Sequence, residues 1–301
     1  MNIIKNIRRK WFEYRVDHCP QRLLEGAWRV TFGYPLDLDN PLTLNEKIQW
    51  LICRSNTSEW TRLSDKILVR DFVSEKGLSD MLVPLLGTWN DANDINFDQL
   101  PEKFVLKCNH DSGSVFIIDK NKPFDWLKIV NTLNAKLKEK FGYKQIEPHY
   151  NNIHPQILAE AYLDLDTTDI SSSCIDYKIF CYNGEPDVVL VTYNRHTGEF
   201  VEHQVRDLDW TLRPEYGADD SYYRLGDAEL PCPESLESMI RAARILSNGF
   251  PQVRVDFYDV KGKAYFGELT FTSDCGRMPY FSNEYQIIAG SKIDLTLAQK
   301  K

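Results

Sequence analysis

The sequence has no apolar run long enough to span a bilayer, so no transmembrane helix is expected. It has no excess of positive charge either. Lys and Arg total 36 against 44 Asp and Glu, a net charge of −8, which argues against a nucleic-acid binder, since such a protein carries a basic face. An anionic substrate stays possible, because a few clustered cations can hold one. No CxxC pair is present and the cysteine number is odd. Cys19, Cys53, Cys108, Cys174, Cys181, Cys232 and Cys275 read as scattered reduced thiols of a cytosolic chain. The six histidines show no HExxH-type spacing, so a structural zinc site is not expected. A Walker A sequence, internal repeats and low-complexity linkers are also missing. At 301 residues the chain can hold one large domain or two to three small ones.

The N-terminus, MNIIKNIRRKWFEYR, is basic, and Ile4, Ile7 and Trp11 follow helical spacing. It lacks the continuous apolar core of a signal peptide. Two readings stay open: association with an anionic membrane surface, or an ordinary helix packed on its own protein. Residues 1–60 read as helical with a turn-rich break. In LTLNEKIQWL, Leu44, Ile48 and Leu51 share a face, and Thr43 with Glu46 makes a capping-box pattern. Residues 64–76 read as one helix, capped by Ser64 or Asp65 and ended by Gly77, with Lys66 near its start.

Two stretches carry chemistry. The first is FVLKCNHDSGSVFIIDK: a strand bearing Lys107, a small polar loop Asn109-His110-Asp111-Ser112-Gly113-Ser114, and a second strand. Such a loop can lay backbone N–H groups on phosphate oxygens, with a lysine as counter-charge. A plain polar hairpin loop fits the same residues. The second is VRVDFYDVKGKAYFGELTFT, residues 253–272, which alternates apolar and polar residues on both arms of a hairpin. With Val260-Lys261-Gly262 as a three-residue loop, Asp259 is expected to face Lys263, Tyr258 Phe266, Asp256 Glu268 and Arg254 Thr270. Carboxylates directly opposite one another repel, and a cation such as Mg²⁺ would reconcile them. A solvated polar face is the other reading.

Between these stretches, residues 126–141 read as a helix, residues 155–163 as a strand, and Asn183-Gly184 as a hairpin turn between strands, the first carrying Lys178. Residues 194–232 read as loop with short strands, and SLESMIRAARILS, residues 235–247, as a helix.

The ordered strings LNEKIQWL, DKILVRDFV, PLLGTW, LPEKFVLKCNHDSGS, ILAEAYL, DYKIFCYNGEP, LSNGFPQVRVDFYDV and YFGELTFT resemble the ATP-grasp enzymes, specifically the TupA-like branch linked to teichuronopeptide and other surface-polysaccharide synthesis. The resemblance implies an α+β ATP-grasp fold: two lobes with mainly antiparallel sheets clamping ATP, at 61–160 and 161–301, behind a helical segment at 1–60. It implies ATP and Mg²⁺, expected as two ions, as cofactors. Lys66, Lys107 and Lys178 would contact phosphates, and Asn109, Ser112, Gly113 and Ser114 would cover them. Glu160, Ala161, Tyr162 and Leu163 would hold adenine. Asp256, Glu268 and Thr270 would hold metal, and Arg254, with Lys178, would act where charge develops. Two departures are visible: Thr270 stands where many ATP-grasp enzymes have Asn, and Asp111 puts an acid in the phosphate loop.

The implied activity is a carboxylate–amine ligase working through an acyl phosphate, joining an amino acid or amine to a uronic acid of a surface glycan or its precursor. Arg195, Arg206 and Arg277 are candidate carboxylate holders. A glycosyltransferase is one alternative, for which the sequence offers the acidic pairs Asp37/Asp39, Asp164/Asp166 and Asp207/Asp209. A kinase acting on a glycan hydroxyl is another. The expected location is cytoplasmic, with weak association at the inner membrane face left open.

Overall fold

Three helices open the chain: α1 (Asn2–His18), α2 (Gln21–Phe32) and α3 (Leu44–Arg54). The capping box forms at α3, where the Thr43 hydroxyl accepts from Glu46 N–H and the Glu46 carboxylate returns to Thr43 N–H. The computed structural model describes residues 2–164, 171, 173–196 and 199–299. It divides into two units, residues 58–164 and residues 1–57 with 165–301. No described helix is long and apolar enough to cross a membrane.

In the 58–164 unit, α4 (Ser58–Ser64) and α5 (Val69–Glu75) replace the single helix expected over 64–76. The break is chemical. Asp65 Oδ1 accepts from the N–H groups of Ile67 at 2.8 Å and Leu68 at 3.3 Å, which competes with helical bonding across this point. Lys66 therefore sits in a turn rather than on a helix. Strands β1 (Leu85–Trp89), β2 (Lys103–Cys108) and β3 (Phe116–Asp119) follow, then α6 (Trp126–Lys136), α7 (Gly142–Gln145), α8 (Pro148–Asn151) and β4 (Ile157–Ala161). The sheet runs β1-β4-β2-β3, antiparallel throughout. Helix α6 is capped by Asp125 and ends at Lys136, short of the expected 141. Its Ile129, Val130 and Leu133 join Phe104, Leu106, Cys108, Ile157 and Ala159 in one core. Alternate residues of β2 thus point into that core and leave Lys107 on the other face.

The second unit continues with β5 (Asp176–Tyr182), β6 (Glu185–His196), β7 (Phe200–Asp207), β8 (Tyr223–Leu225), α9 (Leu236–Ser247), β9 (Gln252–Val260), β10 (Lys263–Thr270) and α10 (Asn283–Lys292). Its sheet runs β10-β9-β5-β6-β7-β8, and only the β7–β8 pair is parallel. Helix α9 lies against β5, β6 and β9, burying Met239, Ala242, Ala243 and Leu246. Strand β7 runs eight residues through the region expected to be mostly loop. Its buried positions include His203 and Gln204, so its polarity hides its strand character.

The β9–β10 hairpin corrects part of the expected register. Its loop is two residues, Lys261 (φ 54°) and Gly262 (φ 79°), both left-handed as a type I′ turn requires. Asp259 therefore faces Ala264 and Tyr258 faces Tyr265, not Lys263 and Phe266. The ladder then shifts at Gly267, and from that bulge onward Asp256 faces Glu268 and Arg254 faces Thr270, as expected. The shorter loop and the bulge offset one another. Val253, Val255 and Phe257 lie on the buried face with Leu269 and Phe271.

Candidate functional site

The structure places the sequence-derived residues in two clusters, one per unit. In the C-terminal unit, Lys178, Asp256 and Glu268 form one row across three neighbouring strands: Lys178 pairs with Asp256, and Asp256 with Glu268. Arg254 lies two residues from Asp256 on the same strand face, since side chains alternate. Its guanidinium spans the row. Nε and Nη2 donate to the two oxygens of Asp256, each at 2.7 Å. Nη2 also donates to Glu268 Oε1 at 3.2 Å and to Thr270 Oγ1 at 3.1 Å, while Nη1 reaches Ser273 Oγ at 3.1 Å. Lys178 Nζ donates to Asp256 Oδ2 at 2.7 Å. Thr270 donates to Glu268 Oε1 at 3.0 Å. The two opposed carboxylates are thus reconciled by an arginine.

The buried end of this row is charge-balanced. Asp256 and Arg254 are 4% and 8% exposed. Burial alone would raise the Asp256 carboxyl, but Arg254 and Lys178 outweigh it and hold the group below its ordinary range. Burial would likewise lower Arg254, yet Asp256 keeps it well above its ordinary value. Sequence reasoning missed one acid here. Asp176 ion-pairs with Arg195, accepts from Thr192 Oγ1 at 3.0 Å and lies 3.9 Å from Lys178. Its spacing of two from Lys178 on one strand was the available signal. Burial opposes its charge, and Lys178 and Arg195 again outweigh it.

The donor set suits a small hard cation in type, although among the described residues no three Asp, Glu, His or Cys side chains gather into a metal-holding group. A carboxylate has about four lone-pair positions. Asp256 accepts three bonds, and Glu268 accepts two, both on Oε1. Each acid therefore keeps an oxygen position, and the Glu268 side chain is 42% exposed. Thr270 spends its proton on Glu268 and retains lone-pair capacity. Oxygen donors of this kind match Mg²⁺.

The cluster in the 58–164 unit holds Lys66, Lys107, the 109–114 loop and Glu160. Lys107 Nζ sits 2.6 Å from Glu160 Oε2, and Arg70 Nη1 sits 3.3 Å from Glu160 Oε1. Arg70 was not singled out from sequence; its four-residue offset from Lys66 was a weak signal. Asn109 is structural as well as polar: its Nδ2 donates to Asp65 Oδ1 at 3.0 Å and to His154 O at 2.9 Å, and its Oδ1 accepts from Gln156 N at 2.7 Å. Lys66 Nζ donates to the Asp111 carbonyl at 2.6 Å. The Asp111 carboxylate turns inward, buried, and accepts from Ser114 Oγ, whose oxygen in turn accepts from Cys108 N–H at 3.0 Å. Asp111 is thereby used to brace the loop. Ser112 and Gly113 (φ 97°) remain exposed at its tip. Ala161 ends β4 and donates its N–H to Pro84 O at 2.9 Å. Tyr162 and Leu163 follow half-buried, and Lys103 Nζ lies 5.6 Å from the Tyr162 ring centroid.

The acidic pairs have local partners. Asp37 Oδ1 accepts from the N–H groups of Asp39 and Asn40 at 2.9 Å, and Asp39 pairs with Arg54. Asp207 pairs with Arg213, and Asp209 accepts from Thr211 N–H. The Asp37 and Asp209 contacts are turn geometries, and Asp39 and Asp207 are ion-paired. Leu165 and Asp166 lie outside the described residues. Of the candidate carboxylate holders, Arg195 joins the row through Asp176, while Arg206 packs over Trp210 and donates to Gln204 Oε1.

A family model described as TupA-like ATPgrasp matches residues 46–294. The chain belongs to this family. The match takes in both clusters of this TupA-like ATPgrasp protein. Among solved structures, it is similar to a D-alanine–D-alanine ligase from Bacillus anthracis, at 17% identity and TM-score 0.44, over 72% of this chain and 60% of that one. It is similar to the ATP-grasp ligase PsnB complexed with minimal precursor, at 13% identity and TM-score 0.37, over 72% of this chain and 54% of that one. It is also similar to the D-alanine–D-alanine ligase from Helicobacter pylori, at 11% identity and TM-score 0.39, over 77% of this chain and 61% of that one. This TupA-like ATPgrasp chain spans about three-fifths or less of the length of these structures. No curated protein matches it.

Proposed function

We propose that this protein is an ATP-dependent carboxylate–amine ligase. The observation that carries the reading is the Lys178–Asp256–Glu268 row with Arg254 joined to both acids. Lys66, Lys107 and the 109–114 loop bind the nucleotide phosphates, and residues 160–163 hold adenine. Asp256, Glu268 and Thr270 would hold Mg²⁺, which when bound would neutralise phosphate charge and act as a Lewis acid.

In the reaction a substrate carboxylate oxygen attacks the γ-phosphorus, the bond to ADP breaks, and an acyl phosphate forms. The amine nitrogen then attacks the acyl carbon, phosphate leaves and the nitrogen loses a proton. Two anions must meet in the first step. Lys178 and Arg254 are set to neutralise that charge without reorganising, because Asp256 fixes both. The substrate class follows the family resemblance: a uronic acid of a surface glycan or its precursor as acid, and an amino acid or simple amine as nucleophile. The reading sets the reaction in the cytoplasm, where the cysteines stay reduced.

The test is nucleotide turnover over a panel of uronic acids and amino acids. ADP and phosphate released only when both acid and amine are present supports the ligase. AMP release, or turnover with a glycan hydroxyl and no amine, refutes it; the second result assigns a kinase. Stabilisation by a UDP-sugar and not by ATP in a thermal shift assigns a glycosyltransferase.

A further inference from the structure

Helix α1 carries its larger apolar stripe on the outside. Ile4, Ile7, Trp11 and Tyr14 are spaced three and four residues apart, so they share one face, and they are 62%, 62%, 60% and 50% exposed. Val16, on a different face, is fully buried. Residues 4–12 are exposed on every side, the helix is held near its C-terminal end, and among the described residues nothing covers the stripe. Its C-terminal half is stacked: Trp11 lies on Tyr14 with centroids 5.6 Å apart, and Tyr14 on His18 at 4.4 Å.

Charge says what covers it. The helix holds five cations, Lys5, Arg8, Arg9, Lys10 and Arg15, against two acids, Glu13 and Asp17, in a chain whose net charge is −8. Glu13 is paired with Arg9. By helical geometry Arg8 and Arg15 flank one side of the stripe and Lys10 the other. Apolar aliphatic side chains, interfacial Trp and Tyr, and flanking cations on one exposed helix face match the boundary between headgroups and acyl chains of an anionic bilayer. A second copy of this chain would bring the same cations against themselves.

We infer that α1 is an in-plane membrane-docking helix that seats the protein on anionic lipid. The inference is independent of the ligase reading, and its test uses no substrate or nucleotide.

The experiment is vesicle co-sedimentation of the full chain. The vesicles are phosphatidylcholine alone, and phosphatidylcholine with about one-third phosphatidylglycerol. Binding to the anionic vesicles, weakened by added salt, is expected. I7S/W11S should weaken it at least about ten-fold through lost apolar burial. R8Q/R15Q should weaken it about 30-fold, at roughly 1 kcal/mol per cation. Ile7, Arg8 and Trp11 are exposed and Arg15 is half-buried; the circular dichroism of both variants should match the parent. No binding to either vesicle overturns the inference. So does equal binding to both, or binding indifferent to either variant. Concentration-dependent dimerisation that I7S/W11S abolishes, without lipid binding, overturns it in favour of a second copy.

Discussion

Replacing Asp256 by Asn tests the buried row most directly. The substitution keeps the side-chain shape and removes its charge. Asp256 accepts three N–H donors at 2.7 Å, two from Arg254 and one from Lys178. An amide offers one oxygen. Turned either way, it leaves at least one donor facing an NH₂ group, a lost charge-assisted hydrogen bond worth about 1.5–3 kcal/mol. The variant also leaves two cations buried with less opposing charge, and breaking such a pair from one side costs about 3–5 kcal/mol. These overlap, so the expected loss is about 3 kcal/mol. Urea unfolding followed by circular dichroism and tryptophan fluorescence measures it, provided the transitions coincide. Adding Lys178→Met should recover part of the loss, with a coupling of about 2 kcal/mol. A loss under about 1 kcal/mol, with additive double-mutant behaviour, would refute the claim that Arg254 and Lys178 depend on this carboxylate.

Five further outcomes are expected. Asp256 and Asp176 are both held below the ordinary carboxylate range, so their stabilisation is full above an unfolded-state value of about 3.9 and is lost as pH falls through it toward the folded values; the acid limb of a stability–pH profile should be shallower in Asp256→Asn. Gln49→Ala should cost about 2 kcal/mol in the same unfolding assay, because Gln49 Nε2 donates to the carbonyls of Cys275 at 2.7 Å and Gly276 at 3.0 Å in a buried setting. Gly276→Ala should cost about 2 kcal/mol: φ is +65°, and an added Cβ would meet Ile48 Cγ2 at 2.8 Å and Gln49 Nε2 at 2.7 Å. Glu160→Gln should lower stability by about 2 kcal/mol by leaving Lys107 and Arg70 without their shared carboxylate; a thermal shift reports the change, and loss of ATP-induced stabilisation in Lys107→Met checks the phosphate role separately.

Much of the candidate site was legible because its signals are short-range. A hairpin brings Asp256 opposite Glu268 through residues that follow one another in the chain, and alternation then puts Arg254 on the same face. Even there, the agreement required a bulge at Gly267 that no pattern of side chains announced. Asp111 was legible as an anomaly and not as a brace, since its partner Ser114 becomes one only when the loop closes. The break at Asp65 escaped the helical pattern because periodicity reports apolar faces and not which backbone groups a side chain will capture.

The sequence by itself determined the elements whose causes lie within a few residues: the Thr43–Glu46 capping box, the Asn183-Gly184 turn, the alternating strands of the metal-candidate hairpin and the cationic helix at the start. Only the tertiary structure decided how distant pieces brace one another. Asn45 bonds Gln286 and Met278, and Gln49 holds the left-handed turn Asp274-Cys275-Gly276 that follows β10. Arg195 and Asp176 meet only because β5 and β6 pair. The physical reason is range. Caps, turns and periodicity are set by neighbours along the chain, whereas a buried polar group takes its partner from whichever strand or helix the fold returns to it.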